Sequence, residues 1–115
     1  MLEGLAAGVA AVLPLSCCVL GMGEDMHIAS LFPGAVGLAA ALAADAPPLK
    51  AVRAPGTGEP RVTLTAPVLN ASLHIHLLIA GAGKRAALDR AARCGRDTDA
   101  PVRVILNAAA IHYAE

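Results

Sequence analysis

The sequence predicts an α/β fold built on a mostly parallel sheet. Three observations lead there. Two short apolar runs, 15–20 (LSCCVL) and 73–80 (LHIHLLIA), are bounded by Pro, Gly or polar residues, as strands buried on both faces are. Ala-rich stretches of helical character alternate with those runs. The chain has 115 residues, of which 57% are hydrophobic, enough to enclose the core of one small domain.

Taken in order, residues 3–13 (EGLAAGVAAVL) suit a helix that Gly4 and Gly8 weaken and Pro14 stops. The strand 15–20 follows, then the loop Gly21–His27. In open α/β sheets ligands sit beyond the carboxyl ends of strands, so this loop is where chemistry is expected. Residues 35–44 suit a short helix. The Pro- and Gly-rich segment 45–60 reads as loop, with a short strand near Lys50–Arg53. Alternation and β-branching make 61–65 (RVTLT) a strand, and 73–80 a second core strand. The run 83–94 (GKRAALDRAARC) is a polar-faced helix with Leu88, Ala91 and Ala92 on one side and Gly95 at its end. Residues 101–106 suit a helical turn, and 110–114 (AIHYA) a last strand.

Composition narrows the function. Formal net charge is zero and the nine Lys and Arg are scattered from Lys50 onward, so no basic surface for nucleic acid is expected. One Phe, one Tyr and no Trp leave no stacking platform for bases. A single small anion needs only one or two well-placed cations and stays possible. The three cysteines, Cys17, Cys18 and Cys94, form no CxxC pair and read as small buried hydrophobes in a reducing compartment. Gly4–Gly23 carries no charge, but Pro14, Ser16 and several glycines interrupt it and Glu3 precedes it. Neither a membrane segment nor a signal peptide is expected.

Asp25 and His27 flank Met26 after the first strand. An imidazole near neutrality can take a proton from water, and a carboxylate beside it can fix its tautomer. Spacing alone does not separate this from a solvated loop pair. Lys84 follows Gly81-Ala82-Gly83 where a helix begins, and backbone N–H groups there favour an anion. The stretch is not a P-loop, because Leu78 stands at the first Gly position and Arg85 at the Ser/Thr position. His74 and His76 share a strand face but lack a matching third ligand, and His112 has less support, so no metal site is expected. Ser30 and Ser72 lack a GxSxG elbow.

The run Leu20–Gly34, LGMGEDMHIASLFPG, resembles the signature of the 6-phosphogluconolactonase family, LGMGxDGHxASLFPG, with Met26 in place of a Gly. Glu59–Asn70 (EPRVTLTAPVLN) is similar to the family's PPxRxTLTxPxLN segment. Ile75–Lys84 (IHLLIAGAGK) resembles its strand followed by GxxK, and Ala100–Leu106 with Ile111–Tyr113 resemble its closing tail. The matches are collinear along nearly the whole chain. The related glucosamine-6-phosphate deaminases continue toward phenylalanine–asparagine–glutamate–proline, whereas this chain has Ser30-Leu31-Phe32-Pro33.

The resemblance implies a Rossmann-like α/β sheet flanked by helices and truncated on its N-terminal side. Residues 1–115 would be a single partial domain, the C-terminal half of the family's, without the upstream phosphate loop. The implied activity is hydrolysis of 6-phospho-D-glucono-1,5-lactone in the oxidative pentose phosphate pathway, in the cytoplasm. His27 would activate water, Asp25 would hold the site's geometry or contact sugar hydroxyls, and Lys84 would bind phosphate. Arg61 is a further phosphate candidate of unknown direction, and Gly21 and Gly23 would let backbone approach the substrate. No metal or organic cofactor is implied. A half-covered sheet would leave an open edge suited to self-association. Two alternatives are a non-catalytic remnant that associates through that edge and a sugar-phosphate isomerase or deaminase. A positive φ at position 26 would make Met strained there and aim its side chain toward the pocket, so Met26→Gly is expected to raise activity or stability.

Overall fold

Two apolar runs far apart in sequence pair as neighbours. The computed structural model describes residues 2–93 and 95–115. Its elements are α1 (Leu2–Ala10), β1 (Cys18–Gly21), α2 (Leu38–Leu42), β2 (Leu49–Arg53), β3 (Pro60–Leu64), α3 (Ala66–Asn70), β4 (Ile75–Ala80), α4 (Ala82–Arg93), a 3₁₀ helix (Pro101–Ile105) and β5 (Ala109–Ala114). Strand β1 lies parallel to β4 from Cys18↔Ile75 to Gly21↔Leu78. On the other side of β4, β5 is also parallel, from Ile75↔Ala109 to Ala80↔Ala114. The sheet order is β1-β4-β5. Each parallel step needs a long crossover, and α4 with the 3₁₀ helix supplies the one from β4 to β5.

The secondary structure and the sheet depart from expectation in four places. Strands β2 and β3 do not join the parallel sheet but form an antiparallel hairpin of their own. The reason is the short connection 54–59, which reverses the chain with positive φ at Gly56 (80°) and Gly58 (68°). The first strand starts at Cys18 rather than residue 15. Helix α3 appears where no element was expected, with a proline in its first turn, where a missing N–H costs nothing. Against the burial on both faces read from the apolar runs, though not against the half-covered sheet that the resemblance implies, the sheet is covered on one face only: Ile75, Leu77 and Ile79 are 4%, 0% and 4% exposed, whereas Val19 is 61% and Leu78 50% exposed.

The covered face is packed by Ala87, Leu88 and Ala91 of α4, by Val102 and Ile105 of the 3₁₀ helix, and by Met22, Ile28 and Leu31 of the segment after β1. That last trio fixes the polar residues between Met22 and Ile28, because both ends of the loop are held in the core. Full burial of an aliphatic side chain such as Ile28 stabilises by about 2–3 kcal/mol. Cys18 is buried and its thiol is pushed above its ordinary pKa by burial, as suits a packing residue. Cys17 is exposed, contrary to expectation, while Cys94 lies outside the described residues. Gly95 has φ 111°, the conformation expected after α4. Helix α1 buries none of its residues. Among the described residues no helix is long and apolar enough to cross a membrane.

Candidate functional site

Three consecutive structural choices build a site at the carboxyl edge of β1 and β4. First, the chain leaves β1 at Gly21 and makes a tight turn in which Met26 N donates to Gly23 O (2.9 Å) and Gly23 N to His27 O (3.1 Å). Second, this turn folds the side chains of Asp25 and His27 back over Gly23. A Cβ at Gly23 would overlap the His27 ring and stand 2.8 Å from Asp25 Oδ1, so any larger residue would push this pair out of place. Third, Met26 takes a left-handed conformation, φ 72°, and its carbonyl accepts from Val102 N at 3.1 Å. The Met26 side chain packs against the hydrophobic core, not out into a pocket as expected from sequence.

Asp25 Oδ1 accepts from His27 Nδ1 at 2.6 Å and from His27 N at 3.1 Å. Partial burial pushes the Asp25 carboxyl up. The hydrogen bonds from the His27 side chain and backbone, together with the imidazole's charge, more than offset it, and the group sits below its ordinary value. An ionised carboxylate only accepts, so the proton of a neutral His27 is on Nδ1 and the lone pair is on Nε2. The imidazole is 31% exposed, within reach of water.

The β2–β3 hairpin brings the next group. Arg61 and Thr63 share one face of β3 by the two-residue strand period. Thr63 is buried, and its Oγ1 accepts from Ser30 N at 3.1 Å, tying the strand to the segment after His27. Arg61 is thereby carried to Phe32, its Cζ 5.7 Å from the ring centroid, while the Phe32 ring lies 4.6 Å from that of His27. The direction of Arg61, open in the sequence, is toward the His27 edge. Arg61 also pairs with Glu59 at 3.2 Å.

Lys84 stands in the first turn of α4, directly after β4, at the same end of the sheet as the His27 loop. The two loops touch: a Cβ at Gly83 would overlap the Glu24 carboxylate, which sits against the start of α4. Among the described residues Lys84 makes no ion pair, whereas Arg61, Arg85, Arg96 and Arg103 each have a carboxylate. Gly21 has no atom within 4 Å of where a Cβ would be, leaving open space beside the strand end. The site is an open surface. A cavity of about 690 Å³ lies elsewhere, lined by Leu42, Asn70, Arg103 and Asn107 among others but by none of Asp25, His27, Arg61 and Lys84.

Sequence reasoning assigned no role to Phe32, Thr63, Glu24 or Gly83. Thr63 was detectable as the strand-mate of Arg61 in RVTLT; Phe32 had no signal beyond its place in the motif. The remaining histidines do not enter the site. His76 Nδ1 meets His112 Nε2 at 3.0 Å across β4 and β5 on the open sheet face, and among the described residues no three metal-ligating side chains gather.

The family described as glucosamine-6-phosphate isomerases/6-phosphogluconolactonase matches residues 2–113. A 6-phosphogluconolactonase of Rhizobium meliloti is 41% identical over 98 residues, 84% of this chain and 42% of that relative. One of Mesorhizobium japonicum is 46% identical over 99 residues, 84% of this chain and 40% of that relative. The chain thus spans less than half the length of these curated relatives. The crystal structure of a 6-phosphogluconolactonase from Shewanella baltica superposes with a TM-score of 0.85 at 24% identity, over 98% of this chain and 52% of that one, a likeness of fold.

Proposed function

The chain belongs to the family of glucosamine-6-phosphate isomerases and 6-phosphogluconolactonases, and on that premise we propose that it forms the catalytic edge of a lactonase. The reaction is hydrolysis of 6-phospho-D-glucono-1,5-lactone to 6-phosphogluconate, in the oxidative pentose phosphate pathway and in the cytoplasm. Residues 1–115 act as one partial domain matching the family's C-terminal half. The observation that carries the reading is the 2.6 Å bond between Asp25 and His27 Nδ1, which leaves Nε2 free to accept a proton.

In this reading His27 Nε2 takes a proton from water as the oxygen attacks C1 of the lactone. The tetrahedral adduct collapses, the C1–ring oxygen bond breaks, and the imidazolium returns the proton to the departing oxygen. Asp25 stabilises the imidazolium while it is charged. Lys84, at the positive end of α4, holds the phosphate, and Arg61 supplies a second cation over Phe32, the ring next to His27. Gly21 leaves room for the sugar. This chemistry calls on no metal or organic cofactor, since water is the nucleophile and the ester is already activated.

Hydrolysis of the lactone by the purified chain, followed by coupled reduction of a nicotinamide cofactor, tests the proposal. His27→Ala should lower kcat by about 10²–10⁴-fold, the usual worth of general acid–base assistance. Turnover that survives the substitution would remove His27 from the chemistry. A second reading is a non-catalytic piece that associates through its open sheet. Val19 and Leu78, exposed on the open face, and Ile111 and Tyr113, exposed on the edge strand β5, favour it, since exposed apolar strands on an uncapped sheet recruit further chains. An oligomer in sedimentation, without turnover, supports that reading over the first.

A further inference from the structure

We propose that Phe32 is a positioning residue for His27 and the seat of Arg61, and that it sets the orientation in which the imidazole meets water. This rests on the reading of His27 as the base. The chain has one phenylalanine, and it is not spent in the core. Leu31, its neighbour, is fully buried, whereas Phe32 is half-buried and turned to the site. Its ring centroid lies 4.6 Å from that of His27, with the planes inclined at 37°. The Arg61 guanidinium stands over the same ring, 5.7 Å from its centroid.

These contacts complete a constraint that Asp25 alone leaves open. The Asp25 bond holds one edge of the imidazole at Nδ1, but a ring held at one edge still pivots about that bond. A flat aromatic neighbour at van der Waals distance blocks the pivot and fixes where Nε2 points. The backbone of Phe32 is itself held: Leu31 anchors one side, and Ser30 N is bonded to the buried Thr63. The same Thr63 sets the strand face on which Arg61 stands. One ring therefore couples the base to the Arg61 guanidinium, and misplacement of about 1 Å at such a group costs on the order of 10²-fold in rate.

Phe32→Leu keeps apolar bulk but loses the flat face, while Phe32→Tyr keeps the face. Turnover and the ¹³C relaxation of the His27 ring, which reports how far the imidazole swings, are measured for both variants and for the unaltered chain. The expected result is about a 10- to 100-fold fall in kcat for Phe32→Leu, with Phe32→Tyr close to the unaltered chain. The His27 ring should be ordered in the unaltered chain and in Phe32→Tyr, and mobile in Phe32→Leu, with Asp25 holding the Nδ1–H tautomer in all three. Equal kcat and an equally ordered ring in Phe32→Leu overturn the inference. So does an equal loss in both variants with an equally ordered ring, which marks Phe32 as packing only. If the chain turns over no lactone, the proposed function fails for the isolated chain and the comparison of ring order still decides the role of Phe32.

Discussion

Leu77 and Leu78 are adjacent, identical in chemistry and opposite in fate: the first is 0% exposed and the second 50%. They stand for the two faces of β4. Ile75, Leu77 and Ile79 point into a core closed by α4, the 3₁₀ helix and the loop after β1, while His76, Leu78 and Ala80 point away from it. Hydrophobicity does not decide which face is covered. The pleat separates the two residues, and the neighbouring elements choose a side. The candidate site inherits this asymmetry, for its loop is anchored from the covered side, through Met22, Ile28 and Leu31.

The largest effect should come from the buried member of the pair. Leu77→Ala should cost about 2.7–5 kcal/mol of unfolding free energy, the range for a fully buried leucine, whereas Leu78→Ala should stay within about 0.5 kcal/mol. Urea titration of both variants checks this. A similar loss for the two would break the comparison and mean that the outer face is covered in solution, as self-association would require.

A second effect concerns the loop. The Asp25 carboxyl titrates below its ordinary value of 3.8 in the folded chain. A lowered folded pKa means that its bond to His27 contributes stability above about pH 3.8 and loses it as pH falls through the folded-state value. In His27→Ala the side-chain bond and the imidazole's charge disappear while the backbone bond from residue 27 and partial burial remain, so the Asp25 pKa should move upward. Carboxyl-carbon NMR titration of the two proteins gives the sign directly. No upward shift would show that Asp25 and His27 are not paired.

The smallest effect is expected at Met26. Met26→Gly relieves about 1 kcal/mol of left-handed strain but removes a half-buried side chain packed on the core, worth a similar amount. The two offset, so unfolding free energy should change by less than about 1 kcal/mol, in contrast to the gain expected from sequence alone. A loss larger than that in urea titration would mean that core packing at this position outweighs the backbone strain.

Much of the site was legible because its parts are local. Asp25, His27 and Gly23 lie within five residues of each other, and a turn brings them together without help from distant chain. Lys84 was legible for a related reason, since a glycine turn between a strand and a helix places it at a helix start. Phe32 and the direction of Arg61 were not legible. They meet only because β3 forms a hairpin with β2 and Thr63 then ties β3 to Ser30, a contact across 33 residues. The separate hairpin was missed for the same reason, for strand character is a local property and strand pairing is not.

From its sequence alone this chain acquires its alternation of helices and strands, its apolar core content, and the glycine turn that sets a histidine beside a carboxylate. These rest on backbone freedom and side-chain chemistry within a few residues. Tertiary structure alone decided which face of β4 is buried, which strands share a sheet, which aromatic stands beside His27 and which cation stands over that aromatic ring. Those outcomes depend on contacts between segments tens of residues apart, and their free energy is gained only once the whole core closes.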